Sequence, residues 1–276
     1  MKKCFLNVKQ CKFPKLSSKI NNYYTFKKIN HRICKNCNLI FHYPINKSSY
    51  KKIYNKDYYQ SNYTENSKLY HQRKLQYNLD KKEFIQFYKD DHKKKILDYG
   101  CGNGEFILKF KSKKYGFEIN ENIKKNKKIN YLDLKNIQKN KFDGIIMRGV
   151  IEHIPNFAII VRKLIKTLKK NGLFFITATP CSNNLSFFLN KEKFRLNDPG
   201  HIYHFNNINL SLFFLRYSLY NIYTSFPYHQ TPYKNFEKDY KNQKLLLNNF
   251  YNKKINNLKK SMPSVGNMMT LIFKKI

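Results

Sequence analysis

Apolar residues fall along this chain in short runs separated by polar stretches, some of helical period. Lys95 to Tyr99, Lys114 to Ile119 and Ile129 to Leu134 each read as a short strand. Phe142-Asp143-Gly144-Ile145-Ile146-Met147 and Leu173 to Pro180 are more continuously apolar, as strands covered on both faces are. Gly104 to Phe110 starts a helix. Ile160, Val161, Leu164, Ile165 and Leu168 recur at helical period within Phe157 to Lys170, where Asn171-Gly172 supplies a stop. Leu210 to Leu219 reads as a helix, Tyr220 to Tyr228 as a strand, 235 to 260 as a polar helical insertion and Met268 to Lys274 as a closing strand. Strands alternating with helices over short connections predict an α/β fold with a doubly wound, mostly parallel sheet.

Upstream the pattern changes. Residues 46 to 92 look helical and polar, with tyrosines at 50, 54, 58, 59 and 63 available to pack the segment on the core. Residues 1 to 45 hold four of the six cysteines: Cys4, Cys11, Cys34 and Cys37. The expected organisation is a Cys-rich segment at 1–45, a helical lead-in at 46–92 and a core domain at 93–276, with insertions at 181–205 and 229–266.

Composition narrows the class. At 41% hydrophobic and 16% aromatic content, 276 residues can bury a full core, which excludes a disordered chain. No run of about 18 apolar residues exists, so no membrane-spanning helix is expected. The first residues carry no long apolar stretch, so no secretory leader is expected and a cytoplasmic location is. The cysteines then read as thiols or metal ligands.

The formal net charge is +37, which suits an anionic partner such as RNA, a nucleotide-sugar or a membrane surface. Only six of the 54 basic residues are arginine, however, and the lysines are spread along the chain. Heavy use of Lys, Asn, Ile, Tyr and Phe is what an AT-rich genome produces, so much of the charge has a compositional origin.

The candidate chemistry centres on Asp98-Tyr99-Gly100-Cys101-Gly102-Asn103-Gly104. Glycines at alternate positions let the backbone turn tightly and approach a ligand closely. Glu118 follows 14 residues after Gly104, at the end of the second strand, where a carboxylate can accept from two ribose hydroxyls. The D-x-G-x-G-x-G spacing differs from the dinucleotide fingerprint G-x-G-x-x-G. It resembles motif I of the class I S-adenosylmethionine-dependent methyltransferases, and the resemblance extends over roughly residues 30 to 276. It implies a seven-stranded sheet whose last hairpin adds one antiparallel strand. It also implies S-adenosylmethionine as cofactor, held by Asp98, Gly100, Gly102 and Gly104 around the methionine part and Glu118 on the ribose. Ile119 would flank the adenine and Asp133 would accept from its amino group, or else cap a turn. Met147 and Arg148 would line the loop beneath.

Cys34-Lys35-Asn36-Cys37-Asn38 is a knuckle of zinc-ribbon type. With the aromatic and proline of Phe41-His42-Tyr43-Pro44, it resembles the Cys-rich ribbon preceding the core of many bacterial sugar and polysaccharide methyltransferases. Cys4 and Cys11 would complete a four-thiolate structural zinc site. Six residues separate them where the pattern has two, and His31 could replace one of them. A ribbon without metal is the alternative.

His153, in Val150-Ile151-Glu152-His153-Ile154-Pro155, is the candidate general base, or a histidine that caps its loop. In several small-molecule O-methyltransferases an acid three residues before the glutamate accompanies a divalent metal. Gly149 stands there, so no metal is carried over to this segment. His201 and His204 fall where the family has a substrate-side loop. The expected activity is methyl transfer to a small-molecule, sugar or lipid-linked glycan acceptor of anionic character. An RNA methyltransferase, supported by charge alone, and a non-catalytic nucleic-acid-binding protein are the alternatives.

Overall fold

The computed structural model describes residues 15–21, 28–34, 37–42, 68–183, 200–227, 234–252 and 268–276. Its elements in chain order are β1 (Lys15–Asn21), β2 (Lys28–Ile33), β3 (Ile40–His42), α1 (Lys68–Phe84), β4 (Lys95–Tyr99), β5 (Lys113–Phe117), β6 (Asn130–Tyr131) and α2 (Leu134–Lys139). There follow β7 (Phe142–Arg148), α3 (Phe157–Thr167), β8 (Leu168–Pro180), β9 (Tyr203–His204), α4 (Asn207–Leu215), β10 (Leu219–Ser225), α5 (Phe236–Tyr251) and β11 (Met268–Lys275).

The central sheet has seven strands in the order β10-β11-β8-β7-β4-β5-β6. β11 runs antiparallel to both neighbours and every other pair is parallel. The period-2 geometry of strands divides its side chains between two cores. Leu97, Ile145, Met147, Phe174 and Ile176 face one side, with Phe157, Val161 and Leu164 of α3 and Phe213 and Phe214 of α4. Ile96, Ile146, Phe175 and Ile272 face the other, with Tyr77 and Phe84 of α1. Phe84 is stacked between Tyr88, 4.9 Å away, and Phe175, 4.6 Å away. Such aromatic pairs are worth about 0.5–1.5 kcal/mol beyond the area they bury.

Three elements differ from the sequence expectation. No α-helix follows the glycine loop: only a 3-10 turn forms, at Ile107–Lys109. β5 opens at Lys113, too soon after Tyr99 for a loop and several helical turns to fit between. α3 ends at Thr167, because Leu168 already pairs with Phe142 on the neighbouring strand. The Lys275 ammonium donates to the carbonyls of Ile165 and Leu168, satisfying acceptors that the helix end exposes. Asn171, with φ of 59°, then sits inside β8 rather than at a helix terminus. α4 begins earlier than its periodicity indicates, because Asn206 and Asn209 form a reciprocal capping box.

A second, four-stranded sheet has the order β1-β2-β3-β9. Its last strand comes from far down the chain: Ile40 pairs with His204 and Phe41 with Tyr203. The Cys34 carbonyl accepts from Asn38 N–H, and Cys34 N–H donates to the Leu39 carbonyl. Asn38 has φ of 55°, the left-handed position of the knuckle turn, and both thiols are buried. Cys4, Cys11 and the tyrosines from 50 to 63 lie outside the described residues. Among the described residues no helix is long and apolar enough to cross a membrane.

Candidate active site

The carboxyl ends of β4, β5 and β7 open into a cavity of about 800 Å³. Ligands of open parallel sheets bind at this edge. Three chain segments build its walls.

The first is the loop after β4. Gly100 N–H and Cys101 N–H both donate to the Phe117 carbonyl, at 2.8 and 3.0 Å, which ties the loop to the end of β5. Gly102 has φ of 56°, and a Cβ there would meet no atom within 4 Å. Gly104 has φ of 85°, and a Cβ there would lie 2.0 Å from Ile129 Cδ1. One glycine keeps backbone open to the cavity, and the other allows the loop to pack on its neighbour. Burial pushes the Cys101 thiol up, so it stays protonated and is no nucleophile.

The second segment is the end of β5. Glu118 Oε2 accepts from Gly102 N–H at 2.9 Å and Oε1 from Asn120 N–H at 3.0 Å. The carboxylate is thus fixed at the cavity side. Ile119 is 68% exposed and lies at the rim.

Asp98 sits at the floor, 2% exposed. Burial pushes its carboxyl up to about 7; Arg148 opposes the rise and Glu118 adds to it. Among the described residues nothing hydrogen-bonds its Oδ1. A buried carboxylate oxygen in that state calls for a donor or cation from the cavity.

The third segment follows β7. Arg148 Nε donates to Asp80 Oδ2 at 2.7 Å, and its guanidinium lies 4.6 Å over the Tyr77 ring. Arg148 therefore forms a wall held by α1. Beyond it, a 3-10 turn at Ile151–His153 carries His153 to the cavity. His153 Nδ1 stands 2.8 Å from the Gly200 carbonyl, and its Nε2 lies 3.8 Å from Glu152 Oε1. The His201 ring is 4.6 Å from the His153 ring.

The residues expected from sequence separate into those at the cavity and those elsewhere. Asp98, Gly100, Gly102, Glu118, Ile119, Arg148 and His153 all line it. Gly104 supports the loop from behind. Met147 is fully buried in the core beneath β7, because strand alternation turns it away from the side of Arg148. Asp133 is not among the lining residues. Its carboxylate accepts from Asn136 N–H at 2.7 Å and is the N-cap of α2, the turn-capping alternative. His204 lies buried in the second sheet.

Sequence reading missed Tyr77 and Asp80. Tyr70, Tyr77 and Phe84 recur every seven residues and are all buried, with Asp80 between them 1% exposed. That spacing was the available signal: an acid on the buried stripe of a helix needs a cationic partner.

The sheet order, the single antiparallel strand and the glycine loop define a class I S-adenosylmethionine-dependent methyltransferase by fold. The chain belongs to the methyltransferase-domain family, whose model matches residues 28–223. Two curated relatives are both named ubiquinone biosynthesis O-methyltransferase. The one from Rickettsia canadensis (strain McKiel) is 28% identical over 119 residues, 38% of this chain and 50% of the relative. The one from Rickettsia typhi (strain ATCC VR-144 / Wilmington) is 30% identical over 105 residues, 33% of this chain and 43% of the relative. The chain thus spans about half the length of the curated relatives it matches. Among solved structures, magnesium protoporphyrin IX methyltransferase from Synechocystis PCC 6803 with bound SAH superposes with a TM-score of 0.52 at 12% identity. The match covers 84% of this chain and 100% of that one, and it shows the shared fold.

Proposed function

We propose that this protein transfers a methyl group from S-adenosylmethionine to a hydroxyl oxygen of a small-molecule acceptor. The observation that carries the reading is the cavity wall, where an open positive-φ glycine loop meets two carboxylates of different kinds. The residues fit the cofactor. Asp98, whose buried Oδ1 accepts no hydrogen bond among the described residues, suits an ammonium group. Glu118 is held at the cavity side by the Gly102 and Asn120 N–H groups, where its carboxylate can accept from ribose hydroxyls. Ile119 at the rim offers an apolar surface for the adenine. Asp133, occupied as a helix cap, is not assigned to it.

When bound, S-adenosylmethionine supplies a methyl group on a sulfonium, whose leaving thioether is neutral. The protein is left to position the acceptor, exclude water and handle the acceptor's proton. His153 is the residue for that last task. Its Nδ1 donates to the Gly200 carbonyl, so the neutral ring holds its lone pair on Nε2. Glu152 stabilises the imidazolium formed when that atom takes a proton.

Oxygen as the receiving atom follows the curated relatives, both named O-methyltransferases. The hydroxyl belongs to a sugar, a lipid-linked glycan or a phenol. RNA rests on net charge alone, and the intact cavity speaks against a non-catalytic protein. Cys34 and Cys37 supply two thiolates of a structural zinc, with Cys4 and Cys11 as the remaining ligands.

The deciding experiment pairs titration of S-adenosylhomocysteine with tritiated-methyl transfer to phenolic, nucleotide-sugar, glycolipid and RNA fractions. Binding with label in a hydroxylated small molecule is expected. NAD binding without S-adenosylhomocysteine binding would overturn the reading. Label in RNA, with a steep salt dependence, would move the acceptor to nucleic acid.

A further inference from the structure

We infer that the outer side of α3 and α4 is a docking surface for a lipid bilayer that carries anionic headgroups. Six of the nine residues of α4 are Ile, Leu or Phe, and they lie all round the helix. The inner side is core: Phe213 packs on Phe157, and Phe214 lies between Phe174 and Phe273. The outer side carries Ile208, Leu212 and Leu215, which are 59%, 45% and 48% exposed. Their spacing of four and three residues sets them in one row, about 10 Å long at 1.5 Å per residue. A single exposed leucine is ordinary. A helix that is apolar on every side is normally covered on every side, and α4 is covered on one.

Charge surrounds this row with a single sign. On α3, Ile159 is 48% exposed, and Arg162, Lys163 and Lys166 are exposed around it. α2 packs on α3 and exposes Lys135 and Lys139. None of the three helices contains an Asp or Glu. Asp133, at the start of α2, has its carboxylate bonded to the Asn136 amide.

This pattern selects the occupant. A second copy meeting the face by a two-fold axis would set each patch against itself, basic residues against basic residues with no acid to pair them. Nucleic acid would answer the charge, but bases stack on aromatic rings, and the row is aliphatic. The row also stands on the ridge of a helix, so the apolar surface is convex. An anionic bilayer satisfies all three features: headgroups pair with the lysines, and the row sinks into the boundary between headgroups and acyl chains.

The face meets the cavity at the start of α3. Asn156 and Ile160 line the cavity, and the exposed Ile159 lies between them in the chain. A bilayer held by α3 and α4 therefore lies close to the cavity rim. The surface is independent of the acceptor's identity; among the hydroxyls proposed above it favours the lipid-linked one.

Flotation of the full-length protein with vesicles tests the surface, at about 0.1 M salt, where charges act over roughly 10 Å. Vesicles of phosphatidylcholine with phosphatidylglycerol should carry the protein upward, and vesicles of phosphatidylcholine alone should carry little. Each cation near an anionic surface is worth about fivefold in affinity, so Lys163→Glu with Lys166→Glu should weaken binding by at least about tenfold. Leu212→Ser with Leu215→Ser should weaken it by a similar factor. Matched changes across the sheet, Lys82→Glu with Lys89→Glu and, separately, Leu75→Ser, should leave it nearly unchanged. Thermal melts check each variant's fold; should the serine pair fail to fold, the glutamate pair decides. Absence of binding to the mixed vesicles would overturn the surface. Equal loss from the two charge reversals would overturn it too, since binding would then follow net charge and not this face. A wild-type dimer in light scattering that the serine pair dissolves would give the row to a second copy instead.

Discussion

Glu118 accepts the amide proton of Gly102 at 2.9 Å, so the acid that ends the second core strand is anchored to the loop that follows the first. Cofactor recognition and loop geometry are therefore coupled. Glu118→Ala should weaken S-adenosylhomocysteine by about 1.5–3 kcal/mol, the worth of hydrogen bonds to a charged acceptor, in isothermal titration. Glu118→Gln, which retains acceptor capacity on one oxygen only, should fall between. Affinity unchanged in the alanine variant would remove Glu118 from the ribose.

The glycines of the loop should separate stability from binding. Gly104→Ala meets Ile129 at 2.0 Å as well as a left-handed φ, so it should lower stability by roughly 1–3 kcal/mol in urea unfolding. Gly102→Ala meets no atom, so its cost should be about 1 kcal/mol of backbone strain, with the larger effect on ligand affinity. Equal destabilisation by both would contradict this division.

Asp98 gives a pH dependence of known sign. Burial pushes its carboxyl up to about 7 in the folded protein, against about 3.9 for an ordinary aspartate. Below pH 4 it is protonated in both states and has no effect. As pH rises from 4 to 7, the unfolded chain gives up the proton first, so stability falls, by up to about 4 kcal/mol at pH 8. Asp98→Asn should raise the melting temperature of the ligand-free protein at pH 8 and scarcely at pH 4. The same variant should bind S-adenosylhomocysteine more weakly. Wild-type affinity should decline as pH drops through 7, because the ammonium partner must be ionised. A melting temperature raised equally at both pH values would show that charge is not the cause.

His153→Ala should lower kcat by about 10²–10⁴-fold, the usual size of a general-base contribution. S-adenosylhomocysteine affinity should hardly change, since its contacts are assigned to β4 and β5. Near-normal turnover would return His153 to the loop-capping role.

For the ribbon, purified protein should contain close to one zinc per chain in its cysteine site. Cys34→Ser with Cys37→Ser should release that ion and lower the melting temperature. Unchanged metal content and stability would leave the metal-free alternative.

The sheet was legible because burial on both faces writes itself into sequence as apolar runs. Phe142 to Met147 and Leu173 to Pro180 could hardly be anything else. Short edge elements were less so. β6 is only Asn130–Tyr131: beyond it Leu132 N–H still donates to the Gly116 carbonyl, but Asp133 already caps α2. The Asn171-Gly172 stop was misjudged because the end of α3 is set by pairing of Leu168 across the sheet, a tertiary contact invisible to local periodicity. At the site, the glycine loop and Glu118 are local motifs and could be read directly. The Arg148–Asp80 pair joins residues far apart in sequence, and the approach of His201 to Glu152 depends on a long connection with no periodic signal. Asp133 and Met147 were assigned by resemblance, and the geometry of this chain uses one as a helix cap and the other as core.

The pairing of Ile40 with His204 has a consequence for how the molecule is made. A ribosome delivers β3 first and its partner β9 about 160 residues later. At ~5–20 residues per second that interval is roughly 8–30 s. Throughout it, the edge of β3 waits without its neighbour, and His153 lacks the Gly200 carbonyl against which its ring is set. The turn that carries His153 is backed by a segment the nascent chain receives late, so a ribosome stalled before residue 200 leaves a protein able to fold much of its sheet while His153 lacks its Gly200 partner. Shortening the wait, by circular permutation that brings these two strands together, should quicken maturation without altering the finished enzyme.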